Sequence, residues 1–223
     1  MKRFVTVLSV SAMSFVALTG PAPAGPSDPP TCNGKPATFV GTPDDDVYDE
    51  NTFFPPGSVI VLLGGDDRIE EFHADDSTVC AGAGRDSVGT EPLVDLGEET
   101  VLIGGRGRDF LGAGQDDGFK ATGPMKLIGG AGKDHLYGGN SADRVLGGGG
   151  KDEIRVAAGD DRAWGDGGDD DLAGSYGKDR LFGGGGDDAL DGDYAGQTSY
   201  TDRADGGLGT DTCQAEIQRR CEN

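Results

Sequence analysis

Between Gly129 and Asp191 an aliphatic position returns every nine residues: Leu136, Val145, Ile154, Ala163, Leu172, Leu181 and Leu190. Its neighbours tolerate solvent, as in His135-Leu136-Tyr137 or Arg144-Val145-Leu146. That is the pattern of a three-residue strand with one buried face. The six residues before each strand are too rich in glycine for a helix or a regular strand. Glycine at fixed offsets supplies backbone conformations with positive φ and lets another backbone approach closely. Each unit therefore reads as a turn followed by a short strand. One unit alone can bury nothing, whereas stacked copies bury a column of aliphatics, which predicts a solenoid.

The frame holds for seven units starting at 129, 138, 147, 156, 165, 174 and 183. Their sixth place is always Asp: Asp134, Asp143, Asp152, Asp161, Asp170, Asp179 and Asp188. Their fourth place is Gly except at Ser141. Upstream, Gly104 to Gly112 repeats the unit with Asp109, and Ala81 to Gly89 nearly does with Asp86. LLGGDDRIE, ending at Glu70, and GTPDDDV, from Gly41, read as eroded units carrying Asp67 and Asp45. Between Gly112 and Gly129 the frame slips, which predicts an irregular turn and then a strand over Met125 to Ile128. After Asp191 it fails again until GGLGTDTC, a last unit with Asp211, followed by a short polar cap. Tyr194 and Tyr200 are expected to cover the open end.

Stacking creates an electrostatic problem. Neighbouring coils lie about 4.8 Å apart. Facing carboxylates at that range repel by roughly 1 kcal/mol per pair even in water, and more when desolvated. The whole chain of 223 residues is acidic, with 40 Asp and Glu against 19 Lys and Arg and a formal charge of -21. Such a composition belongs to a disordered chain or to one whose carboxylates are neutralised by cations. It disfavours a nucleic-acid partner, since a phosphate backbone needs Lys and Arg. The basic residues within the repeats are irregularly placed, so a hard divalent cation fits the aspartate column better. Calcium takes six to eight oxygens and mixes carboxylates with the backbone carbonyls that a glycine turn exposes.

The N-terminus reads MKRFVTVLSVSAMSFVALTGPAPAG: a charged start, an apolar stretch from Phe4 to Leu18, then Ala22-Pro23-Ala24. This is the order of a secretory signal peptide over residues 1–24, with the cut after Ala24. No later segment is apolar enough to span a bilayer. The mature chain is therefore expected to be secreted, extracellular, soluble and monomeric. Four cysteines fit an oxidising compartment. The close pair Cys213 and Cys221 suggests one terminal loop, which leaves Cys32 with Cys80; a zinc site is the alternative, but no CxxC is present.

GGAGKDHLY, GGGGKDEIR, GSYGKDRLF and GGGGDDALD resemble the GGxGxDxUx nonapeptide of RTX (haemolysin-type) calcium-binding repeats. The mature chain is similar to the small secreted bacterial calcium-binding proteins built almost wholly of such repeats. The resemblance implies an all-β fold, a parallel β-roll with two nonapeptides per coil and calcium between units two apart. Residues 129–191 would form the regular roll, 25–128 a degenerate and irregular β-solenoid, and 192–223 a final repeat with a disulfide-closed C-terminal cap. Asp134, Asp152, Asp170 and Asp188 would share one column and Asp143, Asp161 and Asp179 the other. Those columns imply about five calcium ions, with Asp86, Asp109 and Asp211 as further ligands in looser units. Sites touching the 138 and 156 units should be weaker, because Ser141 and Val156-Ala157-Ala158 replace turn glycines.

No catalytic signature accompanies the repeats. H-E-x-x-H, G-x-S-x-G and GxxxxGK[ST] are all absent, and the only histidines are His73 and His135. Carboxylates that recur with the repeat point to metal ligation rather than to one acid/base pair. His135 is expected to face solvent and Trp164 to sit at a surface or edge. The expected function is calcium binding coupled to folding, without catalysis. The alternative is an adhesin that uses the roll as a scaffold for an unknown surface or matrix partner.

Overall fold

The structure, a computed structural model, describes residues 3–4, 29–72, 76–90, 99–113, 123–193 and 200–222. Among the described residues there is no helix, and so none able to cross a membrane. The chain winds as an all-β parallel solenoid of about eight turns with two walls. The first sheet runs from Arg3–Phe4 and Asp46–Tyr48 through Arg68–Phe72, Ser87–Thr90, Phe110–Ala113, His135–Tyr137, Glu153–Arg155, Asp171–Ser175 and Ala189–Asp193 to Thr212–Gln214. The second runs from Phe39–Val40 through Val59–Val61, Thr78–Gly84, Thr100–Gly107, Met125–Gly132, Arg144–Gly149, Arg162–Gly167 and Arg180–Gly185 to Arg203–Leu208 and Ile217–Arg219. Chain neighbours alternate between the walls, so units two apart pair in parallel, as Leu136 with Ile154 and Val145 with Ala163.

The eighth-place residues form the core as two facing columns. Tyr48, Ile69, Val88, Leu111, Leu136, Ile154, Leu172, Leu190 and Cys213 come from the first sheet. Ile60, Val79, Leu102, Leu127, Val145, Ala163, Leu181 and Ala204 come from the second. At the N-terminal end Phe39, Tyr48, Phe54 and Phe72 add an aromatic cluster with ring centroids 5.3–6.0 Å apart. The N-terminal portion is thus part of the same roll, with longer turns. The strand expected over Met125 to Ile128 is present and extends to Gly132.

Cys32 bonds to Cys80 and Cys213 to Cys221. The first bridge pins the Thr31–Pro36 hairpin onto the outside of the second sheet, over Val59 and Val61. The second closes the last coil. Of the expected leader only Arg3–Phe4 is described, as a short strand beside Asp46–Val47. The cut after Ala24 lies outside the described residues, as do His73 and Tyr194. Tyr200 does not cover the open end: it is exposed, and the strand Ile217–Arg219 stacks there instead.

The turn glycines differ in what they allow. Gly148 has φ 108°, and a Cβ there would collide with the Gly130 carbonyl. At Gly149 an added Cβ would meet nothing within 4 Å. Gly148→Ala is expected to destabilise the roll by roughly 1–3 kcal/mol. Gly149→Ala should stay within about 0.5 kcal/mol of the parent, as surface changes usually do. Thermal melts of the two variants at one free-calcium concentration check this.

Candidate metal centre

The sixth-place carboxylates form two ladders, one on each edge of the roll. On the first edge the backbone N–H of Asp46 donates to Oδ1 of Asp67, Asp67 to Asp86, Asp86 to Asp109, and Asp109 to Asp134. The series continues from Asp134 to Asp152, Asp170, Asp188 and Asp211, and ends on Oε2 of Glu222. On the second edge Asp143 donates to Asp161, Asp161 to Asp179 and Asp179 to Asp202, and Asp202 donates to Oε2 of Glu216. Every one of these bonds is 2.6–3.0 Å long. The aspartates are buried throughout, at 4% exposure or less.

Each side chain thus spends one oxygen on the neighbouring backbone. Oδ2 of Asp67, Asp86, Asp109, Asp134, Asp152, Asp161, Asp170, Asp188 and Asp211 is also buried but has no hydrogen-bond partner among the described residues. A buried, unpaired carboxylate oxygen is costly unless protonated or bound to a cation. Where a unit opens on glycine, as most do, that glycine leaves room beside Oδ2, whereas the units of Asp67, Asp86 and Asp161 open on Leu62, Ala81 and Val156. A Cβ at Gly129 would lie 2.6 Å from Oδ2 of Asp134 and 2.6 Å from the Gly147 carbonyl. A Cβ at Gly147 would meet Oδ2 of Asp152 and the Gly165 carbonyl in the same way, at 2.6 and 2.7 Å. Glycine there keeps open a cradle lined by a carboxylate and a carbonyl oxygen.

Burial, the largest cause, raises the carboxyl pKa of Asp67, Asp86, Asp109, Asp134, Asp152, Asp161, Asp170 and Asp188, and the backbone N–H donors lower it in part. Asp86 and Asp152 rise to about 6, Asp67, Asp109 and Asp170 to about 7, and Asp161 to about 8. Neighbouring carboxylates on the ladder push most of them further upward. Among the described residues no three His, Cys, Asp or Glu side chains converge on one point. A cation here would therefore take most of its ligands from turn carbonyls, which suits calcium and does not suit zinc. A groove of about 580 Å³ follows the first edge past Asp67, Asp86 and Asp109. The residues present fit a hard divalent ion.

The first aspartate of each ladder behaves differently. Oδ2 of Asp46 accepts the Thr42 N–H at 2.7 Å, and Oδ2 of Asp143 accepts the Gly139 N–H at 2.7 Å. In the 138 unit Ser141 lacks the positive φ that fourth-place glycines such as Gly132 adopt, so the turn folds onto its own carboxylate. In the 156 unit Ala157 takes φ 74°, but Gly159 keeps the usual turn and Oδ2 of Asp161 stays unsatisfied. The two degenerate units thus depart in different ways.

Three placements differ from the sequence reading. In GTPDDDV the ladder residue is Asp46, while Asp45 is exposed, because the turn there runs one residue further before the strand Asp46–Tyr48. Asp202, absent from the nonapeptide frame, occupies the second ladder after an insertion. His135 is only 19% exposed at its side chain, with Nδ1 3.2 Å from Glu153 and Nε2 3.1 Å from Arg108. Upstream of Asp143 the second edge carries no carboxylate: strand register aligns Ser58, Ser77, Thr100 and Met125 with it in turn. The Ser58 N–H donates to Oγ of Ser77 in the same ladder pattern. The two edges are therefore unequal, the first acidic along its length and the second only toward the C-terminus.

Comparison with known families finds the RTX calcium-binding nonapeptide repeat in overlapping matches at residues 126–154, 146–175 and 164–193. No curated protein and no solved structure matches the chain.

Proposed function

Since residues 126–193 are RTX calcium-binding nonapeptide repeats, we propose that the chain is a secreted calcium-binding protein whose roll folds as it binds the metal. The observation that carries this reading is the row of buried Oδ2 atoms without a partner, those of Asp109, Asp134, Asp152, Asp170, Asp188 and Asp211 each beside a glycine cradle. Calcium would be held by Asp134, Asp152, Asp170 and Asp188 with Asp67, Asp86, Asp109 and Asp211 on the first edge, and by Asp161, Asp179 and Asp202 on the second. Bound there, it supplies the positive charge that the stacked carboxylates lack. Asp46 and Asp143 would contribute less, their oxygens being engaged by backbone donors. In this reading the buried aspartates ligate metal and do no acid/base catalysis, and the chain acts as a monomer.

Two disulfides indicate an oxidising compartment. Export with the leader removed at Ala24 fits them, since a chain that folds on calcium stays unfolded until it meets the ion outside. The test is a far-UV circular dichroism titration. Calcium is expected to build the β signal and raise the melting temperature, whereas magnesium at equal concentration is not, because it demands small octahedral sites and dehydrates reluctantly. An equal response to both ions would contradict the reading.

A further inference from the structure

The outer face of the second sheet carries a basic row. Lys126 pairs with Arg144, Arg144 with Arg162, Arg162 with Arg180, and Arg180 with Arg203, each the direct strand partner of the last. The four arginines are exposed and Lys126 is half-buried. Five like charges thus stand about 4.8 Å apart in single file, on a chain whose net charge is -21. Like charges directly opposite one another on a sheet destabilise it. Among the described residues none of the five forms an ion pair.

Compensation of the buried ladder does not explain the row. Each arginine directly follows an aspartate of the second edge, but it points outward while the aspartate is buried. The equivalent row of the first sheet is mixed, with His135, Glu153, Asp171 and Ala189, and there Arg155 closes ion pairs with Glu153 and Asp171. Beside the basic row lies an apolar one of Ile128, Leu146, Trp164 and Phe182. Trp164 and Phe182 stack on each other with centroids 5.3 Å apart and planes 8° from parallel, and the Arg144 guanidinium sits 5.1 Å from the Trp164 ring centre. These contacts stiffen the row and occupy the ring faces.

We propose that this face binds a linear acidic polysaccharide, laid along the roll axis with its carboxylates or sulfates on the guanidinium row. The charge is complementary, and the forked guanidinium matches both groups. Width selects a thin chain: the turn that precedes the row carries both signs, with Lys178 next to Asp160, so uniform charge is confined to one side chain's breadth. A single-stranded nucleic acid needs open aromatic faces for its bases, and here those faces cover each other. A membrane surface needs protruding apolar groups, and Trp164 and Phe182 are half-buried.

The test uses the mature, calcium-loaded protein and a chondroitin sulfate decasaccharide. Trp164 is the only tryptophan, so its fluorescence reports binding directly. A saturable change is expected that weakens with salt. The triple variant Arg144→Gln/Arg162→Gln/Arg180→Gln should bind roughly a hundredfold more weakly, with its calcium stoichiometry unchanged. Arg108→Gln/Lys133→Gln/Lys151→Gln, which removes the same charge from the other edge, should bind within about twofold of the parent. The proposal is overturned if the decasaccharide does not bind at low salt, if an uncharged chitin oligosaccharide or single-stranded DNA binds as tightly, or if the control triple loses as much. Dimers that dissociate in the arginine variant would likewise overturn it, by assigning the face to a second copy of the chain.

Discussion

Stripped of calcium at pH 8, the chain is expected to lose most of its far-UV β signal and to regain it when calcium returns. The regular array has five intervals between successive ladder aspartates. With dissociation constants near ~10⁻⁴ M, as extracellular calcium modules have, 1 mM free calcium stabilises by about 1.4 kcal/mol per site. Five such sites amount to about 7 kcal/mol, which is comparable to the whole net stability of an ordinary domain at about 5–15 kcal/mol. Removing the ions also restores full repulsion along each ladder. Loss should be uneven. The N-terminal end keeps the aromatic cluster around Phe54 and the Cys32–Cys80 bridge, and its second edge carries hydroxyls in place of carboxylates. Hydrogen exchange in the metal-free state should therefore show residual protection near Ile60 and Val79 and little near Leu172 or Leu181. Uniform protection, unchanged by calcium, would contradict this.

Acid should substitute for the metal. Burial raises the carboxyl pKa of Asp67, Asp86, Asp109, Asp152, Asp161 and Asp170 to about 6 to 8, against an ordinary 3.8. A group whose folded pKa is raised binds protons in the folded state that the unfolded chain releases. Its contribution is fully present below about pH 4 and is lost as pH climbs through 6 to 8. The metal-free roll is thus expected to gain β structure between pH 8 and pH 5, opposite in sign to usual acid denaturation. Calcium binding runs the other way, because each carboxylate must release its proton to the solvent. Titration at pH 6 in buffers of different ionisation enthalpy should reveal that release, and calcium affinity should fall steeply from pH 8 to pH 5. A metal-free chain no more structured at pH 5 than at pH 8 would refute the protonated ladder.

Where the nine-residue frame is unbroken, the sequence and the structure agree position by position, because each unit must return to the same edge after one turn and one strand. Ladder neighbours there are 18 residues apart. Elsewhere the separations are 19, 21, 23 and 25, since loops of variable length can be inserted without disturbing the coil. A rigid frame therefore passes over Asp202, although Asp202-Arg203-Ala204 repeats the motif of Asp161-Arg162-Ala163. Asp-x-aliphatic is the durable signal, because it couples the ladder to the core regardless of loop length. That rule alone favours Asp45, two before Val47, and only the strand register that aligns Tyr48 with Ile69 puts Asp46 on the ladder. The hydroxyl and Met125 positions of the second edge leave no signal in the nonapeptide, and only strand register aligns them with Asp143. Nor does periodicity reveal that Asp143 binds its own Gly139 N–H, which depends on the turn geometry at Ser141.

Calcium stoichiometry by calorimetry, compared between the parent chain, Asp152→Asn and Asp161→Asn, tests the central claim most directly. Asparagine keeps an oxygen to accept the Asp134 or Asp143 N–H and changes only the buried, unsatisfied atom and its charge. Each variant should fold at high calcium yet bind one or two fewer ions, and the Asp152→Asn losses should be additive with those of Asp161→Asn because the two lie on opposite edges. Variants that fold and still bind the parent's full complement of calcium would show that these aspartates are not its ligands.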